Sequence, residues 1–195
     1  MVDYRQQIIE FVKEENRNKK ALLIAAVICT LLREYKNSAV VVGGSALEFY
    51  SVSNYATLDI DFVARDSQGI KEVMLNLGFV NNGGTYILDI DPTVIVEFPK
   101  GPLAGDTGRV INVAMTSELS VNIIGIEDIL IDRLCAAKFW GDGSEQWVKF
   151  LMLTHYTEID WRYCLKRARE EQCEDTFRKC RDFARRQRKE IGNKK

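Results

Sequence analysis

The most constraining feature of this sequence is a short apolar run that ends in two glycines. Residues 39–42 are apolar and mostly β-branched, which predicts a buried strand, and Gly43-Gly44-Ser45 follows directly. Ser45 and Glu48 match the capping-box pattern, so a short helix is predicted to begin at Ser45. The chain must therefore turn sharply from a strand of the sheet into a helix.

Two aspartates follow at a spacing that places them together. Residues 57–64 alternate polar and apolar side chains, which predicts a strand, and Asp59 and Asp61 occupy positions i and i+2 within it. Side chains at i and i+2 point to the same face of a strand, so the two carboxylates are neighbours. A divalent cation relieves their repulsion, and Mg²⁺ is the expected ion because it prefers oxygen ligands and is often shared with substrate phosphates.

The glycine turn before this strand suits an anionic ligand. Gly43 and Gly44 let the backbone approach closely, and N–H groups at a helix start bind anions. The thirteen residues between Ser45 and Asp59 can hold a short helix and a return loop, which would bring the turn and the aspartates together. The sequence therefore predicts a site for a triphosphate and its cation.

A third acid is expected on a neighbouring strand. Glu97 is the lone acid in the apolar run 94–98, and an unpaired carboxylate in such a strand faces either solvent or a metal. We take Glu97 as the third acidic residue, acting as a metal ligand or as the base for an acceptor hydroxyl. The alternative is an exposed acid on an edge strand. Thr57, two residues before Asp59, can support a ligand or serve only as a strand residue.

A second Asp-x-Asp pair, Asp89 and Asp91, is a useful internal comparison. It follows Gly83-Gly84 after only four residues, which is too short for a helix, and Pro92 comes directly after it. Because proline cannot donate to a strand ladder, this pair is expected at a strand end near a turn and not at the metal.

The remaining pattern predicts a mixed fold. Apolar residues at helical spacing predict helices at 4–16, 19–36, 68–77, 126–140, 144–156 and 159–170. Further strands are predicted around 79–80, 85–90, 94–98, 110–114 and 120–124. We therefore expect an α/β (α+β) fold, a small mixed sheet flanked by helices, in three parts: N-terminal helices over 1–37, an α/β core over 38–125 and a C-terminal helical region over 126–195.

Composition indicates the cellular compartment and limits the types of side chain that can carry out the chemistry. The five cysteines are odd in number and widely spaced, so neither a disulfide framework nor a zinc site is expected. The sequence does not open on a signal-peptide pattern, and the longest apolar stretch, residues 21–32, is too short to cross a bilayer. We expect a cytoplasmic protein without a membrane segment. His155 is the sole histidine and is expected to be structural, so carboxylates, lysines, arginines and backbone groups must carry most of the chemistry.

The sequence resembles the nucleotidyltransferase superfamily related to DNA polymerase β in three motifs: Gly43-Gly44-Ser45, Asp59-x-Asp61 and Glu97. The resemblance is to the small prokaryotic branch, which includes the minimal nucleotidyltransferases and the AbiEii-type toxins of toxin–antitoxin systems. Residues 97–105 and 126–138 are also similar to members of this branch, and the resemblance covers residues 38–170.

This resemblance implies an activity and assigns roles to residues. It implies transfer of a nucleoside monophosphate from an NTP with two Mg²⁺ ions, for which Mn²⁺ can substitute. Phosphates would contact the turn at Gly43, Gly44 and Ser45, and the ions would be held by Asp59, Asp61 and Glu97. A basic residue of helix 126–140 would reach the triphosphate, with Lys138 as first candidate and Arg133 as second. The alternative is that both belong to a solvated helix face or pair with Asp142 and the acids Asp128 and Asp132.

The sequence does not identify the acceptor of the nucleotide, and it leaves two other functions as alternatives. An RNA such as tRNA, a protein hydroxyl or a small molecule could accept the nucleotide, and an antitoxin could be a partner. A non-catalytic binding or regulatory module would bind nucleotide or Mg²⁺ without turnover. Residues 178–195 carry nine Lys or Arg against Asp182 and Glu190, which indicates either a frayed, solvated helix or a tail that attracts RNA. The net charge of −1 does not decide between them.

Overall fold

The computed structural model describes residues 2–52, 54–57 and 59–192, which contain seven strands, eight α-helices and a short 3-10 helix at Thr107–Arg109. The helices are α1 (Tyr4–Phe11), α2 (Arg17–Glu34), α3 (Gly43–Tyr50), α4 (Ile70–Asn76), α5 (Ile126–Phe139), α6 (Glu145–Thr154), α7 (Trp161–Glu170) and α8 (Glu174–Gly192). The strands are β1 (Ala39–Val41), β2 (Asp59–Ala64), β3 (Phe79–Asn82), β4 (Thr85–Leu88), β5 (Asp91–Glu97), β6 (Ile111–Ala114) and β7 (Ser120–Ile123). The predicted α/β (α+β) fold is confirmed.

The seven described strands form one mixed sheet in the order β3-β4-β5-β2-β1-β7-β6. Strand β2 lies at its centre, antiparallel to β1 and parallel to β5. Strand β7 is parallel to β1, whereas β3–β4, β4–β5 and β6–β7 are antiparallel pairs. A parallel pair needs a long connection, and between β2 and β5 this connection contains α4 and the β3–β4 hairpin.

The chain divides into two compact units, Met1–Ile124 and Gly125–Lys195. The first unit contains the sheet with helices α1 to α4, and the second contains helices α5 to α8. The division into three parts that the sequence suggests stays a prediction.

Helix α2 supplies much of the core of the first unit. Its N-cap Asn16 accepts a hydrogen bond from Lys19 N over 2.9 Å, which satisfies one of the N–H groups left without a partner at a helix start. Residues 22–29 are all buried, and so is Leu32, because the helix packs on β1 and β7 and against α1, α3 and α4. Every helix among the described residues is too short or too polar to cross a membrane.

Two buried acids stabilise the second unit. Asp128 accepts a hydrogen bond from Tyr163 Oη over 2.7 Å and lies 3.8 Å from Arg167 Nε. Glu127 Oε1 accepts a hydrogen bond from Asp160 N over 3.0 Å. Because a buried carboxylate without partners is costly, these contacts fix α5 against α7.

The basic C-terminal segment forms an ordered helix. Helix α8 buries Phe177, Cys180 and Ala184 and packs against α6 and α7. The tail is therefore helical and not frayed as far as Gly192, although its residues 185–192 are largely solvent-exposed, as a solvated helix requires. Residues 193–195 lie outside the described residues.

Removing a core side chain of α2 tests this packing. Leu32→Ala is expected to lower the free energy of unfolding by about 2–5 kcal/mol, because Leu32 is fully buried and the truncation leaves a cavity. Leu75→Ala is the matched control, since Leu75 is 47% exposed and its truncation should cost less than about 0.5 kcal/mol. Urea denaturation measures both, and equal losses would contradict the packing role of α2.

Candidate active site

The register between β2 and β5 brings three carboxylates together. Asp61 lies directly opposite Glu97 in the parallel ladder, and Asp59 lies on the same face two residues earlier. Ile60 and Phe62 alternate with the aspartates and are buried on the other face. One carboxylate oxygen from each acid lies within 4.8 Å of the other two, a separation that a shared cation can bridge. We call Asp59, Asp61 and Glu97 the acidic cluster.

The glycine turn contacts the acidic cluster directly. Val42 N donates a hydrogen bond to Asp61 O over 3.0 Å, which continues the β1–β2 pairing to the end of the strand. Gly43 follows with φ +58°, a conformation that favours glycine, and a Cβ built there would overlap Asp61 Oδ2. Only glycine therefore allows this close approach of the turn to the carboxylate.

Helix α3 begins at Gly43 and not at Ser45, so the predicted capping box is wrong. The Ser45 hydroxyl donates to Asp59 O over 2.7 Å, and Glu48 Oε2 accepts a hydrogen bond from Thr57 N over 3.2 Å. Both side chains are 5% exposed. They face β2 and the segment before it. Their hydrogen bonds therefore hold α3 against β2 and do not cap the N-terminus of α3.

Two threonine hydroxyls hold carboxylates of the acidic cluster. Thr57 Oγ1 donates to Asp59 Oδ1 over 2.5 Å, and Thr85 Oγ1 donates to Glu97 Oε1 over 2.8 Å. The role of Thr85 was not predicted, because it depends on the pairing of Thr85 with Glu97 between β4 and β5. Thr57 was recognisable only by its position two residues before Asp59.

The second Asp-x-Asp pair lies outside the acidic cluster, at a turn that leads into β5, as predicted. Asp89 Oδ1 lies 2.7 Å from Arg5 Nη2, and Asp91 Oδ2 lies 3.5 Å from Lys20 Nζ. The Thr93 hydroxyl donates to Asp91 and lowers the pKa of that carboxyl. These two acids are thus occupied by structural partners.

Two cavities of the first unit are lined by residues of β2, but only the smaller one is lined by an acid of the acidic cluster. A cavity of about 640 Å³ is lined by Val63, which follows Asp61 on the same face of β2, and by Phe98, which directly follows Glu97. A second cavity of about 310 Å³ borders Asp59 and is also lined by side chains at the start of α2. The smaller cavity is thus the one that opens beside the acidic cluster, and its volume is at the lower end of the range of small-molecule sites.

The two basic residues predicted to contact the triphosphate lie on α5, in the second unit. Arg133 Nε donates to Asp132 Oδ2 over 2.9 Å. Lys138 Nζ donates to Gln172 O over 2.5 Å and to Asp175 Oδ1 over 2.7 Å. Both cations have partners within their own unit, and their contact with a nucleotide stays a prediction.

Burial keeps the thiols of Cys29, Cys173 and Cys180 protonated. The five cysteines form no disulfide among the described residues. Burial raises the pKa of Cys29 to about 11 and that of Cys180 to about 11, while burial with the neighbouring Cys135 raises that of Cys173 to about 12. These groups are neutral thiols at neutral pH, and the thiolate is the reactive form.

The family of this chain follows from its similarity to known proteins. The model of a family described as nucleotidyltransferases of unknown function (DUF6036) matches residues 22–191. The chain therefore belongs to this family, which confirms the resemblance to nucleotidyltransferases. No curated protein matches the sequence. The structure is similar to the crystal structure of JHP933 from Helicobacter pylori, with a TM-score of 0.48 and 15% sequence identity, over 97% of this chain and 95% of that one.

A methyl group at Gly43 tests the contact between the turn and the acidic cluster. Gly43→Ala is expected to destabilise the protein, because the new Cβ would overlap Asp61 Oδ2 and the positive φ adds about 1–2 kcal/mol of backbone strain. Gly83→Ala is the matched control: Gly83 has φ +64°, and nothing lies within 4 Å of its Cβ position. Thermal unfolding should show the larger loss for Gly43→Ala, and equal losses would mean that the overlap has no cost.

Proposed function

We propose that this chain is a nucleotidyltransferase that uses Mg²⁺ to move a nucleoside monophosphate from an NTP onto a hydroxyl acceptor. The observation that carries the proposal is the separation of at most 4.8 Å among the ligand oxygens of the acidic cluster, directly beside the helix start at Gly43. Membership in a family of nucleotidyltransferases supports the class of reaction.

The acidic cluster fits a hard divalent cation by its donor atoms. Carboxylate oxygens are the ligands that Mg²⁺ prefers, and Mn²⁺ accepts the same set. We assign Asp59, Asp61 and Glu97 as the residues that hold two such ions. When bound, the ions would neutralise charge on the triphosphate and lower the pKa of the attacking hydroxyl.

The backbone at the start of α3 is assigned to the triphosphate. The N–H groups of Gly43, Gly44 and Ser45 precede the first complete turn of the helix, so they have no carbonyl partner within it. They can donate to phosphate oxygens, and the positive end of the helix dipole favours an anion there. The Ser45 hydroxyl is committed to Asp59 O, so the backbone N–H of Ser45 is the group assigned to the phosphate.

Glu97 is assigned as the group that accepts the proton of the attacking hydroxyl. The transfer forms a bond between the acceptor oxygen and the α-phosphorus and breaks the bond to the oxygen that bridges to the β-phosphorus, so pyrophosphate leaves. One oxygen of Glu97 accepts a hydrogen bond from Thr85, which orients the carboxylate and leaves the other oxygen for the proton.

The proposal also covers the acceptor of the nucleotide, a protein partner and the cellular compartment. An RNA, a protein hydroxyl and a small molecule all carry the group that the reaction needs. The resemblance to toxin–antitoxin nucleotidyltransferases extends the proposal to an antitoxin partner. Cysteines without disulfides support a reducing compartment such as the cytoplasm. Lys138 and Arg133 are proposed as further contacts of the triphosphate.

Substituting one acid of the acidic cluster tests the proposed reaction. Asp61→Asn keeps the size of the side chain but removes its charge, so transfer of label from an α-labelled NTP to RNA, protein or small-molecule fractions should fall by about a hundredfold or more. Each of the four NTPs would be tried with and without Mg²⁺, and a γ-labelled NTP would give no label because pyrophosphate leaves.

The second Asp-x-Asp pair supplies a matched control. Asp89→Asn makes the same chemical change at an acid that is 44% exposed and bound to Arg5 outside the acidic cluster, so transfer should be unchanged. Undiminished transfer by the folded Asp61→Asn variant, or label retained from the γ-phosphate, would refute nucleotidyl transfer at this site.

Removing one supporting hydroxyl tests how the acidic cluster is held. Thr85→Val deletes the hydrogen bond to Glu97 with little change in shape, and loss of such a supporting contact typically weakens a metal site 10- to 100-fold. Mn²⁺ titration followed by electron paramagnetic resonance measures the affinity. Thr85→Ser keeps the hydroxyl and should bind nearly as the wild type. An unchanged affinity in Thr85→Val would show that Glu97 does not need Thr85.

A further inference from the structure

We propose that the exposed face of α8 binds the phosphodiester backbone of a single-stranded nucleic acid, which would be the acceptor of the transfer. The acceptor role rests on the proposed function, whereas the binding does not depend on catalysis. The basic face is the set of exposed cations Arg178, Lys179, Arg185, Arg186 and Lys189.

The basic face lies opposite the buried side of the helix. At 3.6 residues per turn, its five cations fall within an arc of about 120° and extend over about 16 Å along the axis. Phe177, Cys180 and Ala184 lie on the opposite side and are buried. The helix therefore presents its cations outward as one stripe and is anchored by its apolar side.

Most of the positive charge on the basic face has no acidic partner. Arg178 is paired with Glu174, with Nε 2.8 Å from Oε1. The other four cations of the basic face form no hydrogen bond or ion pair among the described residues, and Asp182 is the one acid between them in the sequence. Because the whole chain has a net charge of −1, this positive charge is a local concentration and not a general property of the protein.

Exposed aromatic rings adjoin the first turn of α8. Phe139 and Trp140, at the end of α5, are 57% and 79% exposed. Lys138 connects this end of α5 to α8, because its Nζ lies 2.7 Å from Asp175 Oδ1 and 5.8 Å from the centre of the Phe139 ring. Asp175 lies on the same side of α8 as the basic face, so the Phe139 ring lies near the N-terminal end of the stripe, and Trp140 is the next residue along the chain.

Cations in a row beside exposed rings favour a single strand over other anionic partners. A membrane-binding helix needs a free apolar face, but the apolar side of α8 packs against α6 and α7. An acidic protein needs no stacking surface. A single strand offers both a charged backbone and unpaired bases that stack on aromatic side chains, and it carries hydroxyl groups that a nucleotidyltransferase can use.

Neutralising the basic face tests the proposal. The probe is a fluorescein-labelled oligouridylate of about twenty nucleotides, long enough to cover one binding site, and fluorescence anisotropy gives its affinity for the full chain across a salt series. Arg185→Gln, Arg186→Gln and Lys189→Gln combined should weaken binding at least about tenfold at low salt. The slope of log K against log salt should fall by about 2, at about 0.7 per lost phosphate contact on a single strand.

A matched variant on α7 removes the same charge elsewhere in the second unit. Arg162→Gln, Lys166→Gln and Arg169→Gln combined lower the net charge equally, but two of these cations are paired with acids, Lys166 with Glu170 and Arg169 with Glu174. Its affinity should stay within about twofold of the wild type. Equal losses in the two variants would mean attraction by net charge alone and would overturn the proposal.

Trp140→Ala tests the stacking surface separately. Affinity for the single strand should fall about fivefold or more, and affinity for a duplex of the same length should not change. A deoxythymidylate strand run beside the oligouridylate tells whether the 2′-hydroxyl contributes. Three outcomes would each overturn the assignment: tighter binding of the duplex, displacement of the strand by polyglutamate at equal charge, or displacement of the strand by anionic phosphatidylserine vesicles.

The experiments can refute strand binding by α8 and the proposed function separately. Circular dichroism confirms that each variant keeps its helices, and Asp61→Asn should bind the strand as tightly as the wild type while transferring nothing to it. If the wild type labels another acceptor but does not bind the strand, the proposal for α8 fails and the proposed function survives. If the strand binds but no NTP supports transfer to any acceptor, the proposed function fails and the binding face stands.

Discussion

The pairing of β2 with β5 is the interaction on which the candidate site depends. It sets Asp61 opposite Glu97 in the central part of the sheet, although three like charges within 4.8 Å repel one another. The ladder hydrogen bonds and the burial of Ile60 and Phe62 on the reverse face hold the strand in this register. A slip of one residue would bury the acids and expose the apolar side chains. The register is therefore fixed by the core and not by the acids themselves.

Sequence patterns predict the parts of the site that lie within one segment. The period of a strand is enough to place Asp59 and Asp61 together, and a lone acid in an apolar run is enough to single out Glu97. That Glu97 lies beside Asp61 is implied by the family resemblance and not by a local pattern, because it depends on which strands pair and in which register. The support of Glu97 by Thr85 could not be predicted for the same reason, since it crosses from β5 to β4.

Local patterns mislead where tertiary contacts compete for the same side chains. Ser45 and Glu48 have the spacing of a capping box, but both are buried toward the carboxylate strand and bind its backbone or the segment before it. The positive tail resembles a frayed helix in sequence, yet Phe177 and Cys180 anchor it in the second unit. In both cases the local sequence pattern does not show which residues these side chains contact, because the contacted residues lie elsewhere in the chain.

The long connection between β2 and β5 has a consequence for when the site exists. The three acids come from two strands separated by α4 and the β3–β4 hairpin, so an unfolded or nascent chain has no assembled cluster. A cation that requires all three acids binds only the folded first unit and stabilises it by mass action, by about 2.7 kcal/mol at a hundred times its Kd. The three acids therefore come together only when β5 has joined the sheet, and a cation that needs all three could bind only after that step.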